Sequence, residues 1–311
     1  MEILRAVLIA PFADMISSPT FLVEVLIGGV AAGLMYSLVA LGFVLIFKAS
    51  GVFNFAQGVM VLFAALTLVG LMERGAPIWL ALGLTMVVMV ALAFAIERIV
   101  LRPLVNQEAI ILFMATIGLS FFLEGFGEMV WGANVKKLDV GIPDTGFNVH
   151  GVLVNRLELS AAVTAAVLVT VLAIFFQRTR IGRALRAVAD DHEAALSIGI
   201  PLKTIWVVVW SVSGLVAIAA GVMWGAKSGV QFSLSLIALK ALPVLILGGF
   251  TSVPGAIVGG LIIGVGEKMG EVYWGPLVGG AIENWFAYVV ALVFLIFRPQ
   301  GLFGEKIIER V

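Results

Sequence analysis

The chain has 311 residues, 62% of them hydrophobic and only 12% charged, and its 19 basic side chains balance 19 acidic ones. An ordinary soluble domain carries roughly 25% charged residues, so a soluble globule is excluded, and zero net charge leaves no basic footprint for nucleic acid. Cysteine is absent, and the two histidines, His150 and His192, are far apart in polar loops, which removes disulfide, thiolate and clustered metal-ligand chemistry.

From the N-terminus, residues 1–20 read as an interfacial amphipathic segment. Arg5, a short apolar stretch and Pro11 are too brief to span a bilayer and lack a small-residue cleavage site. Long charge-free runs follow: Val25 to Phe47, Ala49 to Met72, Ala76 to Ile96, Thr204 to Ala226 and Ala241 to Gly266. A helix needs about 20 apolar residues to cross hydrocarbon, and these runs lack the recurrent polar face of a soluble helix. Spans are predicted near 21–47, 53–72, 77–97, 109–131, 158–177, 204–226, 236–249, 255–273 and 282–298. The expected fold class is all-α: a polytopic transmembrane helical bundle over 21–304, with nine passes, or eight plus a re-entrant hairpin. The open point is 236–273, where Thr251-Ser-Val-Pro-Gly255 interrupts an overlong helix. Either a tight turn joins two short spans, or one helix unwinds in mid-membrane.

Basic residues in short loops set the orientation. The loop 178–203 holds Arg178, Arg180, Arg183, Arg186 and Lys203 and is expected in the cytoplasm, with Lys48, Arg98 and Arg102. The loop 132–157 then falls outside. Nine passes put the tail bearing Arg298, Lys306 and Arg310 inside and the N-terminus outside, whereas eight would put the tail outside. Trp79, Trp131, Trp224, Trp274 and Trp285 fall near outer span ends, as interfacial anchors do.

Inside the spans, Asn54 and Gln57 are amides that must find hydrogen-bond partners in hydrocarbon. They serve as glue between helices, or as a neutral polar patch lining a pathway, loosened by Gly51 and Gly58. Neutral amides can bond both ends of a zwitterion without trapping either. Gly248, Gly249 and Pro254, at the second interruption, are further pathway candidates. Seven G-x-x-x-G pairs occur, six of them between Gly221 and Gly280, against about four expected at random for a motif of close helix approach. They mark packing of the C-terminal helices, within the chain or against a second subunit. Glu24, Glu124, Lys240 and Glu267 sit near predicted span ends and are expected to snorkel or pair.

Outside the membrane, Ala184 to Ile198 lacks Gly and Pro and is followed by Gly199 and Pro201, a stop signal. A helix of about four turns is expected there. Its small residues, Ala184, Ala187, Val188, Ala194 and Ala195, let another surface approach closely. Enzyme motifs are missing: no G-x-x-x-x-G-K-[ST], no H-E-x-x-H, no G-x-S-x-G. The energy for any work must come from a gradient or a partner.

Glu193-Ala194-Ala195 followed by Gly199 resembles the cytoplasmic EAA loop of ABC importer permeases. The general motif's downstream Ile-x-Leu-Pro is missing, which points to a divergent branch. Tyr36-Ser-Leu-Val-Ala-Leu-Gly42 with Gly51-Val-Phe-Asn-Phe-Ala-Gln-Gly58 resembles the N-terminal hallmark of branched-chain amino-acid permeases of the LivH type. Leu247-Gly-Gly-Phe-Thr-Ser-Val-Pro-Gly-Ala-Ile-Val-Gly-Gly260 and Arg298-Pro-Gln-Gly-Leu-Phe-Gly304 are similar to the same family, so the resemblance covers about 20–304.

It implies a single permease domain in the bacterial cytoplasmic membrane, with 178–203 as a coupling loop and 132–157 periplasmic. The partners implied are a second related permease, two ATPase subunits that carry ATP and magnesium, and a periplasmic solute-binding protein. No cofactor is expected on this chain. Arg183, Arg186, Glu193, Ala194, Ala195 and Gly199 become the expected coupling residues. The substrates implied are small amino acids, above all branched-chain ones, although the family also imports urea and short amides. The rival readings are a stand-alone secondary carrier or channel, against which the lack of a mid-depth acid counts, and a membrane-embedded enzyme, which lacks clustered nucleophiles or ligands.

Overall fold

The computed structural model describes residues 7, 9–104, 107–190, 195, 197 and 199–304. A short helix α1 (Ala10–Ser17) lies within the expected interfacial segment; its Pro11 and Met15, one turn apart, are buried while Phe12 and Ile16 are exposed. Next come α2 (Pro19–Ser50), α3 (Gln57–Glu73), α4 (Ile78–Ala95) and α5 (Ala109–Trp131). A wide π turn over Ile96–Leu101 and a tight one over Arg102–Leu104 prolong α4. At 32 residues, α2 is about 48 Å long and exceeds the roughly 30 Å hydrocarbon core.

The loop 132–157 is partly ordered as a hairpin, β1 (Gly146–Val149) antiparallel to β2 (Val152–Asn155), with Val149 opposite Val152. Its turn residues His150 and Gly151 have φ of 53° and 90°, the left-handed pair that a two-residue hairpin turn needs. Asn155 then caps α6 (Arg156–Arg178), its Oδ1 accepting from the Leu157 and Glu158 amides at 2.9 and 3.1 Å. The chain continues through α7 (Arg180–Asp190), α8 (Leu202–Ser228), a 3-10 turn at Phe232–Leu236, α9 (Ile237–Gly248), α10 (Val253–Met269) and α11 (Phe286–Phe297). Further turns carry α10 on to Val278.

Among the described residues, six helical stretches are long and apolar enough to cross a membrane: Pro19–Ser50, Ile78–Leu104, Ala109–Trp131, Arg156–Arg178, Leu202–Ser228 and Val253–Val278. Three shorter apolar helices are Gln57–Glu73, Phe232–Gly248 and Phe286–Phe297. Each hydropathic segment of the sequence coincides with one of these helices.

By contact the chain divides into two compact units, 1–37 with 142–166 and 240–311, and 38–141 with 167–239. The first is built on glycine contact between α2 and α10. A Cβ on Gly33 would stand 2.6 Å from the Gly260 carbonyl oxygen, and one on Gly29 2.8 Å from the Val265 Cα. Gly29-x-x-x-Gly33 therefore meets Gly260-x-x-x-Gly264, the close backbone approach by which helices associate where no hydrophobic force separates them from lipid. One turn on, the Ser37 hydroxyl donates to the Gly33 carbonyl at 2.8 Å and lies 3.3 Å from that of Ile257. Of the two meanings open for the glycine pairs, packing within the chain accounts for this one.

In the second unit α3 is the central helix, buried continuously from Gln57 to Gly70, as an all-round apolar helix must be. It packs against α4, α5 and α8. Gly221 of α8 sits on α3 so tightly that a Cβ would come within 2.7 Å of the Val61 carbonyl oxygen. At the end of α3, Arg74 lies over the Trp131 ring, 4.6 Å from its centroid, and Glu73 pairs with Lys136.

Substituting Gly33→Val is expected to destabilise the protein by about 1–3 kcal/mol, the usual cost of overpacking, lowering its thermal midpoint in detergent. Gly118→Ala, where a Cβ would meet nothing within 4 Å, should leave the midpoint unchanged or raise it slightly.

Candidate functional site

Between α2 and α3 the helical ladder stops for six residues, and Gly51 takes a φ of 68°. Side chains repair the break. Asn54 is fully buried; its Oδ1 accepts from the Ala56 amide at 3.1 Å and its Nδ2 donates to Gln57 Oε1 at 3.4 Å. Gln57, also fully buried, accepts from Ser213 of α8 at 2.7 Å. Thr116 of α5 accepts from the Phe55 amide at 3.1 Å. Phe53 stacks on Phe43, centroids 4.8 Å apart, and closes the apolar side.

Asn54 and Gln57 are thus joined to each other in a wholly neutral network. Gln57 Nε2 is buried and has no hydrogen-bond partner among the described residues. Gly58 is a close-approach glycine: a Cβ there would come 2.6 Å from that of Ala238. Ser213 was not singled out by sequence, since a lone serine in an apolar helix carries no pattern.

The interruption after α9 resolves as a tight turn. Gly249 has a φ of 102°, and Ser252 caps α10, its Oγ accepting from the Gly255 amide at 3.0 Å. Pro254 stands in the first turn of α10, where its missing N–H costs nothing. The closing Arg298–Gly304 segment returns to this turn: the Leu302 amide donates to the Leu247 carbonyl at 2.8 Å and the Phe303 amide to that of Gly248 at 3.1 Å. Gly301 fits there with a φ of 82°, and its Cβ would stand 2.6 Å from the Gly249 nitrogen. Two sequence motifs about 50 residues apart are therefore one joint, and Gly248 and Gly249 are packed backbone within it.

The basic loop begins with a cap. Thr179 Oγ1 accepts from the Gly182 amide at 3.0 Å, which starts α7 at Arg180, four residues earlier than composition suggests. Gly182 lies against the backbone of Phe176, too close for any side chain. Arg186 turns back onto the end of α6, bonding the Phe176 carbonyl and, at 3.4 Å, that of Gln177. Arg183 is exposed and reaches the Arg178 carbonyl at 3.3 Å. Leu185 and Val188 are buried, leaving the charged face of α7 outward.

Further on, Ala195 is buried, and its carbonyl accepts from the Ile200 amide at 3.0 Å around Gly199, whose φ is 84°. That is the Schellman close expected of Gly199. Glu193 and Ala194 lie outside the described residues.

A second polar cluster lies in the first unit, where sequence had suggested charges near span ends. Glu267 of α10 is 4% exposed and accepts at Oε2 from the Tyr36 hydroxyl at 2.9 Å. It is buried and bonded rather than snorkelling. Lys240 of α9 donates to the Glu283 carbonyl at 3.3 Å, and its Nζ stands 6.0 Å from the centre of the Tyr36 ring. The available signal was a charge-free run from Ala241 to Gly266 bounded by Lys240 at one end and Glu267 at the other. Among the described residues no group of three or more His, Asp or Glu could hold a metal.

A profile of branched-chain amino acid transport system permease components matches residues 25–298. The chain is similar to the high-affinity branched-chain amino acid transport system permease protein LivH of Escherichia coli K12, 30% identical over 315 residues, covering 94% of this chain and 98% of the relative. It is likewise similar to the corresponding protein BraD of Pseudomonas aeruginosa, 28% identical over 301 residues, covering 92% of this chain and 97% of the relative. Among solved structures, PsaBC from Streptococcus pneumoniae in complex with Fab aligns at 14% identity and a TM-score of 0.45, covering 92% of this chain and 94% of that one.

The joint yields a contrast between two left-handed glycines. Gly301→Ala is expected to pay both backbone strain and a clash with Gly249, lowering the thermal midpoint clearly. Gly279→Ala, at φ 87° with nothing within 4 Å, should lose only the strain, about 1 kcal/mol.

Proposed function

The chain belongs to the family of branched-chain amino acid transport system permease components, and from that premise we propose that it is the pathway-forming subunit of an ATP-driven importer of branched-chain amino acids. The observation that carries this reading is the extent of the family match, 25–298, over a chain whose helices are long and apolar enough to span a bilayer. The named relatives transport branched-chain amino acids; transfer of that cargo to this chain is part of the proposal. So are the bacterial cytoplasmic membrane as its location and nine passes, formed by the six long stretches and three short helices.

The partners proposed are a second related permease, two ATPase subunits holding ATP and magnesium, and a periplasmic binding protein that delivers the amino acid. The chain itself needs no cofactor. The coupling element is the segment from α7 through Gly199, with Arg183, Arg186, Glu193, Ala194, Ala195 and Gly199. What supports it is chemistry: α7 has a basic outer face and is capped at Thr179, and the segment turns at Gly199. Arg186 gives it stiffness, because its grip on the α6 carbonyls makes α7 and α6 move together. ATPase closure pushing on such a helix reaches the spans through α6.

On the pathway side, the Asn54–Gln57 patch offers neutral donors and acceptors beside Gly58. Gly248, Gly249 and Pro254, at the turn between α9 and α10, are the further pathway residues proposed. A stand-alone carrier remains the rival reading, favoured by buried Glu267, since buried intramembrane acids serve proton relays.

Leucine uptake into proteoliposomes is expected only when ATPases, second permease and binding protein are all present; uptake by this chain alone would establish the carrier. In the complete transporter, Arg183→Glu should cut leucine uptake at least tenfold while ATP hydrolysis persists, and Arg186→Glu should do the same. Unchanged uptake in both variants would overturn the coupling assignment.

A further inference from the structure

Glu267 and Lys240 are opposite charges placed around one phenol ring and not joined to each other. The two ion pairs among the described residues, Arg102–Glu97 and Lys136–Glu73, include neither. Glu267 spends one carboxylate oxygen on the Tyr36 hydroxyl. The other, Oε1, is buried and has no hydrogen-bond partner among the described residues. Lys240 has three donors and uses one on the Glu283 carbonyl at 3.3 Å. Both residues belong to apolar helices, where an ionisable side chain is costly unless it has a use.

An acceptor without a donor and a cation with donors to spare match the two ends of an α-amino acid. We propose that Glu267, Tyr36 and Lys240 form a binding site for zwitterionic α-amino acids within the membrane-spanning part of this chain. This rests on the functional reading above and sharpens it. The α-ammonium donates to Glu267 Oε1, and the α-carboxylate accepts from Lys240 Nζ. Tyr36 fixes the Glu267 carboxylate through its hydroxyl and presents its ring between the charged ends. The aliphatic side chain then contacts apolar surface, which selects for hydrophobic character without fixing its shape.

Charge also decides what the site refuses. Urea and short amides bring no full charge to either group, so they would leave Glu267 and Lys240 uncompensated. The site therefore assigns the chain to the amino-acid side of its family's cargo range.

The test uses the complete transporter in proteoliposomes, with loaded binding protein and ATP, counting leucine molecules moved per ATP hydrolysed. Glu267→Gln keeps an acceptor for the Tyr36 hydroxyl and removes the charge; Lys240→Gln does the same for the cation. Each is expected to lower leucine moved per ATP at least tenfold, with ATP hydrolysis stimulated by the binding protein to within twofold of wild type. Glu267→Asp should recover part of the loss.

Wild-type uptake in either Gln variant overturns the site. So does a parallel fall of hydrolysis and uptake, which marks a merely structural role. Should Glu267→Gln fail to assemble, Lys240→Gln decides, since Lys240 is only partly buried. A wild-type complex that moves no amino acid overturns the functional reading itself, and this site with it.

Discussion

Hydrocarbon supplies no hydrogen bonds, so a helix broken inside a membrane must have its free backbone groups satisfied by the protein. Three of the irregular stretches among the described residues are repaired in this way. At 51–56, Asn54 takes the Ala56 amide and Thr116 that of Phe55. At 249–252, Ser252 caps α10 and residues 302–303 return to bond the last carbonyls of α9. At 279–285, where Ala281 is left-handed at φ 62°, the Glu271 carboxylate accepts from the Ala281 and Glu283 amides at 3.0 and 3.1 Å. Asn54, Thr116, Ser252 and Glu271 thus serve backbone groups where the ladder fails.

The same solvent explains the glycines. Lipid tails are as apolar as leucine, so helices gain little by hiding side chains from them and associate through close van der Waals contact. Gly29 and Gly33 against Gly260 and Gly264 bring backbones together, and the Ser37 hydroxyl can then reach the Ile257 carbonyl across the contact. Gly221 does the same between α8 and α3. Close backbones place small polar groups within reach of one another, so the packing motif is a precondition of the polar clusters.

These dependencies set what could be read from sequence. Apolar runs and their interruptions are local, so the apolar helices and both breaks were legible, as was the stop at Gly199, whereas the start of α7 at Arg180 was not. The partners across the chain were not. Tyr36 and Glu267 are separated by 231 positions, and nothing in the periodicity of either helix says that they meet. Glu267 read as a residue near a span end because hydropathy measures composition along one helix. Its burial depends on α2, whose glycines let it close on α10. Ser213 was invisible for the same reason. The placing of Arg186 was not legible, because its bond to the α6 carbonyls arises only when α7 folds back after α6. The joint between Leu247–Gly248 and Leu302–Phe303 appeared as two separate motifs; their shared need for glycine makes sense only once they touch.

A transport site must also let go, which limits how strongly it can hold. A fixed pair of opposite charges would collapse into an ion pair when the cargo left and resist reopening, because an ion pair strengthens in low dielectric. Here each charge has a lesser partner to rest on: Glu267 keeps the Tyr36 hydroxyl, and Lys240 keeps the Glu283 carbonyl. Those bonds are weaker than full charge pairing, so an arriving zwitterion improves on them, yet they keep the empty site from stranding either charge. The neutral Asn54–Gln57–Ser213 network has no such difficulty, since amides and hydroxyls exchange partners at modest cost. The proposed site is thus the charged cluster, and the neutral one carries no such constraint.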